Sequence, residues 1–255
     1  MRINNIVILL TACVNPDGMA YTALQDKTVR LKQYREALDW YLAHVKNKIV
    51  FVENTGYDIS PLYENYIAAG QLEVLTFHGN DFDKSKGKGY GEALIVEYAL
   101  NHSEFLKQND NIIKITGRLI CGNVQKMLRH YEDKGTLYGL RMQDDEGKDE
   151  INSQVIVAPY IYWKDFFISD KEKINDSRHY WFEHLLYDAK NKWVNDGYRF
   201  KEMWMPLKLQ GLSGSTGNTV SAPALNNPLS FYLHYILHRL GYYGPITFRI
   251  LRKKS

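Results

Sequence analysis

Asn111-Ile-Ile-Lys-Ile-Thr-Gly-Arg-Leu-Ile120 decides how the rest of the chain is read. Its first half is the apolar run of a buried strand, and it ends in a small-residue turn that carries an arginine. A parallel strand covered on both faces reads as a continuous hydrophobic run. Working outward, Ile6-Val-Ile-Leu-Leu10, Ile49-Val-Phe-Val52 and the stretch from Leu72 to Phe77 have the same character. Between them lie patterns of helical period, one opening at Asp26 with Val29, Tyr34, Leu38, Tyr41, Leu42 and Val45 on one face. A short helix is expected after Ser60-Pro61, where Ser fits an N-cap and Pro the first helical position. Another is expected from about Glu92 to Leu106. Strand and helix thus alternate four times in the first ~120 residues, which predicts a mostly parallel sheet with helices on both faces.

The rhythm changes after residue 120. Leu137 to Met142 and Gln154 to Tyr160 read as strands joined by the acidic loop Asp144-Asp-Glu-Gly-Lys-Asp-Glu150. An aromatic helix is expected from about Asp176 to Val194, a Gly/Ser loop over Gln210 to Asn218, and a last helix over Leu229 to Leu240. With no internal repeat and no low-complexity linker, the simplest organisation is one domain over residues 1–255.

Composition narrows the class. Hydrophobic residues at 45% and charged residues at 24% are the mix of a folded chain. A formal net charge of +3 calls for no nucleic-acid surface. The basic end, Arg249 to Lys254, either is a solvated tail or touches an anionic membrane surface. Cys13 and Cys121 lack CxxC or His partners at metal spacing, so reduced core thiols and a cytoplasmic setting are expected. The apolar opening is too short to span a membrane and reads as a first strand rather than a signal peptide.

The chemistry is expected where strands end, since ligands of open α/β sheets gather at the carboxyl ends. Gly87-Lys-Gly-Tyr-Gly91-Glu92 is a Gly-rich turn with a cation at its tip, Lys88. It matches neither GxGxxG nor a P-loop, and it reads equally as an anion cradle or a plain turn. In Lys114-Ile-Thr-Gly-Arg118, the side chains of Lys114, Thr116 and Arg118 share one side as far as extended geometry persists. A guanidinium there suits a diphosphate, or pairs with a structural carboxylate. Arg30 is either a cleft residue with Tyr34 or a solvated helix charge. General-base candidates are Glu53, Glu92, Asp144, Asp145, Glu146, Asp165 and Glu183. Glu183 lies in the aromatic stretch Tyr180-Trp-Phe-Glu-His-Leu-Leu-Tyr187, where it is a partly desolvated base or an outward helix residue. His234 and His238 stand at i, i+4, a spacing that can chelate zinc but fits a plain helix face better. Gly211-Leu-Ser-Gly-Ser-Thr-Gly217, with Ser213 and Ser215, reads as a loop closing over substrate or as a surface connection.

The strand ending Thr11-Ala12, Arg30-Leu-Lys-Gln-Tyr34, Phe51-Val-Glu-Asn-Thr-Gly56, Gly87–Glu92 and Lys114–Leu119 occur in this order. Together they resemble bacterial glycosyltransferases with a GT-A-like fold that build capsule, O-antigen (lipopolysaccharide) and other surface polysaccharides. The resemblance covers most of the first 120 residues and runs weakly on to Glu183 and the Gly211–Gly217 loop. It implies an α/β, nucleotide-diphospho-sugar transferase sheet with a mixed α+β C-terminal half. Residues 1–120 would form the donor-binding half, and 121–255 the acceptor-binding and catalytic half. Thr11 and Ala12 would line the base and ribose pocket with Arg30 and Asn54 nearby. Lys88, Gly89, Gly91, Glu92, Lys114, Thr116, Gly117 and Arg118 would border the diphosphate and sugar. The family's Asp-x-Asp is replaced by Thr116-Gly-Arg118, so no cofactor is firmly implied. Arg118 with Lys88 or Lys114 would then take the metal's role; the alternative is a displaced Mn2+ or Mg2+ site at Asp144–Glu146. Glu183 would be the base of an inverting transfer, with retention as the alternative, from a nucleotide-sugar donor, UDP-sugar favoured. The acceptor would be a glycan or lipid-linked glycan, with peripheral contact at the inner face of the plasma membrane and no nucleic-acid partner. A sugar-nucleotide nucleotidyltransferase and a non-catalytic glycan- or nucleotide-binding protein are the other classes. The former usually carries a Gly-rich, Arg-bearing loop after its first strand, which Thr11 to Gly18 lacks.

Overall fold

The computed structural model of the protein describes residues 6–107 and 111–213, with the isolated positions 217, 229, 232, 233 and 236. The strands are β1 (Ile6–Ala12), β2 (Ile49–Glu53), β3 (Leu72–Thr76), β4 (Asn111–Thr116), β5 (Ile120–Cys121), β6 (Thr136–Gly139), β7 (Arg141–Gln143), β8 (Asp149–Ile151), β9 (Val155–Pro159), β10 (Arg199–Glu202) and β11 (Leu209–Gln210). The helices are α1 (Lys27–His44), α2 (Glu64–Ala68), α3 (Gly87–His102), α4 (Val124–His130) and α5 (Phe182–Asn195), with short 3-10 turns and a π-helical turn (Tyr162–Phe167) between.

Seven strands form the central sheet, in the order β10-β6-β9-β4-β1-β2-β3. The four apolar runs of the first 120 residues pair in parallel, and only β9 runs antiparallel to its neighbours β4 and β6. The expected mostly parallel sheet flanked by helices is what the chain forms. Alternating side chains feed two cores. Ile8, Leu10, Ile113 and Ile115 pack under Tyr34, Leu38 and Tyr41 of α1. Val7, Leu9 and Ile112 pack under Ala93, Val96, Phe182 and Leu185 of α3 and α5. The register makes the strand ends flush: Thr11 lies beside Thr116, and Ala12 beside Glu53.

Several elements differ from expectation for identifiable reasons. Helix α3 begins at Gly87, five residues earlier than the apolar pattern suggests, so the Gly-rich stretch is its first turn. Ser60 is not an N-cap but opens a 3-10 turn. Leu137 to Met142 is not one strand: the chain leaves the sheet at Leu140, and β7 pairs with β8 as the arms of the acidic hairpin. The aromatic helix begins at Phe182, not Asp176. Asn175 ties up the Arg178 N–H and His179 turns left-handed (φ 56°), which stops a helix before it can propagate. Residues 229, 232, 233 and 236 are helical; His234, His238 and the basic end lie outside the described residues. Among the described residues, no helix is long and apolar enough to cross a membrane.

Candidate functional site

At the carboxyl ends of β1 and β4, the peptide of Gly117 closes on β1 through its N–H to the Thr11 carbonyl at 2.9 Å. A Cβ at Gly117 would meet that carbonyl oxygen at 2.6 Å, so glycine is demanded here by close backbone approach. The strand has ended by this point, and alternation ends with it. Lys114 therefore faces the α3/α5 layer, over the Phe182 ring at 5.2 Å, while Arg118 turns to Tyr34 of α1. The two cations do not share a side, as extended geometry would have had them do.

On the α1 side, one phenolic oxygen gathers donors from three chain segments. Tyr34 Oη accepts from the Cys13 N–H (2.9 Å), Arg30 Nη2 (3.1 Å) and Arg118 Nη1 (3.2 Å). Arg30, 4% exposed, spends its other nitrogens on the Cys13 carbonyl (2.7 Å) and the Leu24 carbonyl (3.1 Å). It is a strut for the loop after β1, neither a solvated charge nor a free ligand donor. Arg118 differs: its Nε is buried without a hydrogen-bond partner, and among the described residues no carboxylate forms an ion pair with it. An unpaired buried guanidinium nitrogen costs free energy unless a ligand meets it. Burial pushes the neighbouring Cys13 thiol up to about 11, against the pull of Arg30, Arg118 and Lys84, so this cysteine is no nucleophile.

Glu53 is also structural. Fully buried at 0% exposure, its carboxylate accepts from the N–H groups of Val14 (2.9 Å), Thr55 (2.8 Å) and Tyr57 (2.9 Å) and from the Thr55 hydroxyl (2.5 Å). It knots the loops after β1 and β2 together. Asn54 beside it is 1% exposed, and its Oδ1 has no partner.

On the other face, a chain of polar contacts crosses from β1 to α5. The Thr11 hydroxyl donates to Glu92 (2.9 Å), Glu92 is ion-paired with Lys114, and Lys114 Nζ donates to the Ser153 carbonyl (2.7 Å). The Ser153 hydroxyl in turn donates to Glu183. Burial opposes ionisation of Glu92, but Lys114, Thr11 and Arg118 outweigh it and hold the carboxyl below its usual range. Lys114, at 0% exposure, is spent on Glu92 and the Ser153 carbonyl. Glu183 sits in the first turn of α5, partly exposed. Among the other base candidates, Asp165 is exposed and Glu146 pairs with Lys148 at 2.8 Å.

The Gly-rich turn serves packing. Asp176 Oδ2 accepts from the Gly89 N–H (3.3 Å), and a Cβ on Gly87 or Gly89 would collide with that carboxyl at 2.2 and 2.9 Å. The anion at the N-terminus of α3 is thus the protein's own. Burial pushes Asp176 up to about 6, helped by Glu183 and opposed by the Gly89 N–H and Lys88. A Cβ on Gly91 would lie 3.1 Å from the Phe82 ring, and Lys88 is exposed at the rim. The Gly/Ser loop enters beside Arg118, because the Cβ of a residue at Gly211 would lie 2.8 Å from the Arg118 carbonyl. Ser213 follows on this loop; Ser215 lies outside the described residues.

The Thr116-Gly117-Arg118 position offers no carboxylate and does not fit a metal. Asp144, Glu150 and His184 do converge: His184 Nε2 is 3.1 Å from Asp144 Oδ2 and 3.7 Å from Glu150 Oε1. Glu150 ends the acidic run Asp144–Glu150, which reads from sequence as a metal site or a solvated loop; His184 was not singled out, because the hairpin and α5 lie over thirty residues apart. Tyr34 as a hub and Asp176 as a cap were equally unmarked. A cavity of about 330 Å³ lies elsewhere, on an α1 face lined by Thr28, Leu31, Lys32, Arg35, Glu36 and Asp39.

No protein-family profile matches the chain, and no curated protein does. Solved structures similar to it include the inositol-1-phosphate CTP transferase of T. maritima (13% identity, TM-score 0.43), covering 91% of this chain and 96% of that one. The WbbM bifunctional glycosyltransferase (13%, TM-score 0.46) matches over 90% of this chain and 43% of its own. S. aureus TarS in complex with UDP (12%, TM-score 0.34) matches over 77% and 60%. Likenesses of this size decide neither activity nor ligand. The pairing of its own strands makes the chain an α/β protein with a mostly parallel sheet flanked by helices.

Proposed function

We propose that the chain is a glycosyltransferase that uses a nucleotide-diphosphate sugar, UDP-sugar favoured, without a metal on the diphosphate. The observation that carries this reading is Arg118. It is a cation at the carboxyl ends of β1 and β4, without a carboxylate partner among the described residues and with one buried nitrogen unsatisfied. Thr11, Ala12 and Asn54 would line the base and ribose, with Arg30 holding the loop that shapes this pocket. Thr116, Gly117 and Arg118 would meet the diphosphate, with Lys88 at the rim, Gly89 and Gly91 shaping α3 beneath it, and Ser213 and Ser215 on the adjoining loop. Glu92 and Lys114 would position Thr11 and Ser153.

The chemistry follows from charge. When the sugar C–O bond to the diphosphate breaks, negative charge grows on the departing oxygens, and a preorganised guanidinium stabilises it. Glu183 takes the proton of an acceptor hydroxyl, whose oxygen forms the new bond to the anomeric carbon from the opposite face. The outcome is inversion. The acceptor would be a sugar hydroxyl of a surface glycan, polymeric or lipid-linked.

The test is calorimetric titration of UDP, GDP, TDP, CMP and CTP in EDTA, on the wild type and Arg118→Ala. One nucleoside diphosphate should bind, and the variant should lose about 1.5–3 kcal/mol of that affinity, the range for a hydrogen bond to a charged group. Preference for CTP would favour nucleotidyl transfer instead. Equal binding by the variant would remove Arg118 from the site, and no nucleotide binding at all would end the transferase reading.

A further inference from the structure

The loop between β1 and α1 crosses from one face of the sheet to the other. It leaves β1 at Ala12 and returns to α1 at Lys27, on the face that packs Tyr34 and Leu38. Between them, the Tyr21 ring meets Trp181, the residue before α5, edge to face at 5.4 Å and 78°. The start of α5 lies at the carboxyl edge of the sheet, because Glu183 accepts from Ser153, just before β9, and antiparallel β9 begins where β4 ends. Tyr21 thus roofs the ground between Arg118 and Glu183. Its backbone is left-handed (φ 55°), and Asp17 (49°) and Gly18 (73°) precede it in the same region. That conformation costs free energy for a bulky residue, yet Tyr21 stays 49% exposed and gains little burial in return. Strain held in this way gathers at ligand sites.

Trp181 is half-buried, and the His179 ring lies 5.5 Å from its own. His179 Nδ1 is in turn 3.6 Å from Glu146 Oε1 at the tip of the acidic hairpin, and both side chains are exposed. The result is an aromatic corner with a polar rim, two residues from Glu183. A flat base stacks best on parallel faces, whereas two rings at 78° fit a puckered ring that has an apolar C–H face and a polar edge. The rim suits hydroxyls, which donate to carboxylate and imidazole acceptors. It does not suit an anion, since the tip Asp144-Asp-Glu-Gly-Lys148 carries three acids against one lysine.

We propose that Trp181 and Tyr21 form a subsite for an uncharged hexopyranoside, with its apolar ring face on Trp181 and its hydroxyls toward Glu146, His179 and Glu183. Acidic sugars are turned away by the hairpin tip. The role of this sugar as the acceptor rests on the transferase reading. Its binding does not, so the subsite is tested with no nucleotide sugar present.

The experiment is saturation-transfer NMR on the full chain with methyl β-glucoside, methyl β-galactoside, methyl β-glucuronide and uridine. A neutral glycoside should receive saturation chiefly at the axial C–H protons of one ring face, and the glucuronide should receive none. Trp181→Ala should weaken the neutral glycoside about tenfold, the scale of one aromatic contact, while Trp181→Phe keeps a face and stays within about threefold. Trp181→Ala leaves in place the Trp181 N–H that donates to His184 Nδ1. Tyr21→Gly should weaken the glycoside yet raise the melting temperature, since glycine adopts the left-handed backbone without strain. Binding of neither neutral glycoside, equal affinity in Trp181→Ala, or displacement of the glycoside by uridine would overturn the subsite. Should Trp181→Ala not fold, Tyr21→Gly decides. A chain that binds the glycoside but no nucleotide would keep the sugar subsite and lose the transfer, so the two failures are distinguishable.

Discussion

The two lips of the sheet's carboxyl edge carry opposite excesses of charge and manage them differently. At the α1 lip, Arg30 is saturated by carbonyls and a phenol, which leaves Arg118 with a buried nitrogen to spare. At the hairpin lip, Asp144 takes the Glu146 and Lys148 N–H groups and faces His184, whose ring also lies 3.7 Å from Glu150. One lip keeps a nitrogen unmet; the other closes its carboxylates around an imidazole. Completing the hydrogen bonds of Arg118 within the protein would stabilise the first lip and leave nothing for a ligand to improve.

The largest expected effect separates chemistry from binding. Glu183→Gln should lower turnover by about 10²–10⁴-fold, the usual range for a general base, while nucleotide affinity measured by calorimetry stays within twofold of wild type, on the order of 0.4 kcal/mol. A parallel loss of affinity would place Glu183 in the donor site instead.

Next comes pH. A carboxyl whose folded value is raised binds its proton more tightly folded than unfolded. Glu150, raised from 4.5 to about 8, therefore contributes stability below its unfolded value that is lost as pH climbs from there through 8. In EDTA the melting temperature should fall across that window. Asp176, raised from 3.8 to about 6, should add to the fall at its acid end. Glu150→Gln should flatten the upper part of the curve, and a variant that melts with unchanged pH dependence would show that Glu150 is solvated.

The smallest effect concerns neither lip but the helix between them. Gly89→Ala should cost about 1–3 kcal/mol in chemical denaturation, as overpacking does, since its Cβ meets Asp176 at 2.9 Å and the Phe182 nitrogen at 3.2 Å. In the background of Asp176→Ala the cost should shrink.

The strands were legible because β1, β2 and β4 are buried on both faces and their apolar runs have no competing period. The place of Arg118, just past the end of β4, was legible because the apolar run stops at Thr116. Lys114 was not, since a lysine's burial depends on Glu92 and Ser153, one on a helix and one on a distant loop. The start of α3 was missed because glycine is a poor helix former, and tertiary contact with Asp176 overrode that propensity. The start of α5 was missed because nothing local announces the left-handed turn at His179. His184 and Glu150 meet only once the hairpin folds over α5.

The contact between Asp176 and the first turn of α3 also bears on descent. Gly87 and Gly89 have the spacing of a ligand-binding motif, yet their smallness answers to a side chain 87 residues beyond Gly89. Among descendants of this chain, Gly89 and Asp176 should change together or not at all. A lineage that traded Asp176 for alanine would release Gly89 to drift while Gly87, at φ 79°, stayed glycine, and the Gly-x-Gly-x-Gly signature would lose its middle member without any change in what the protein binds.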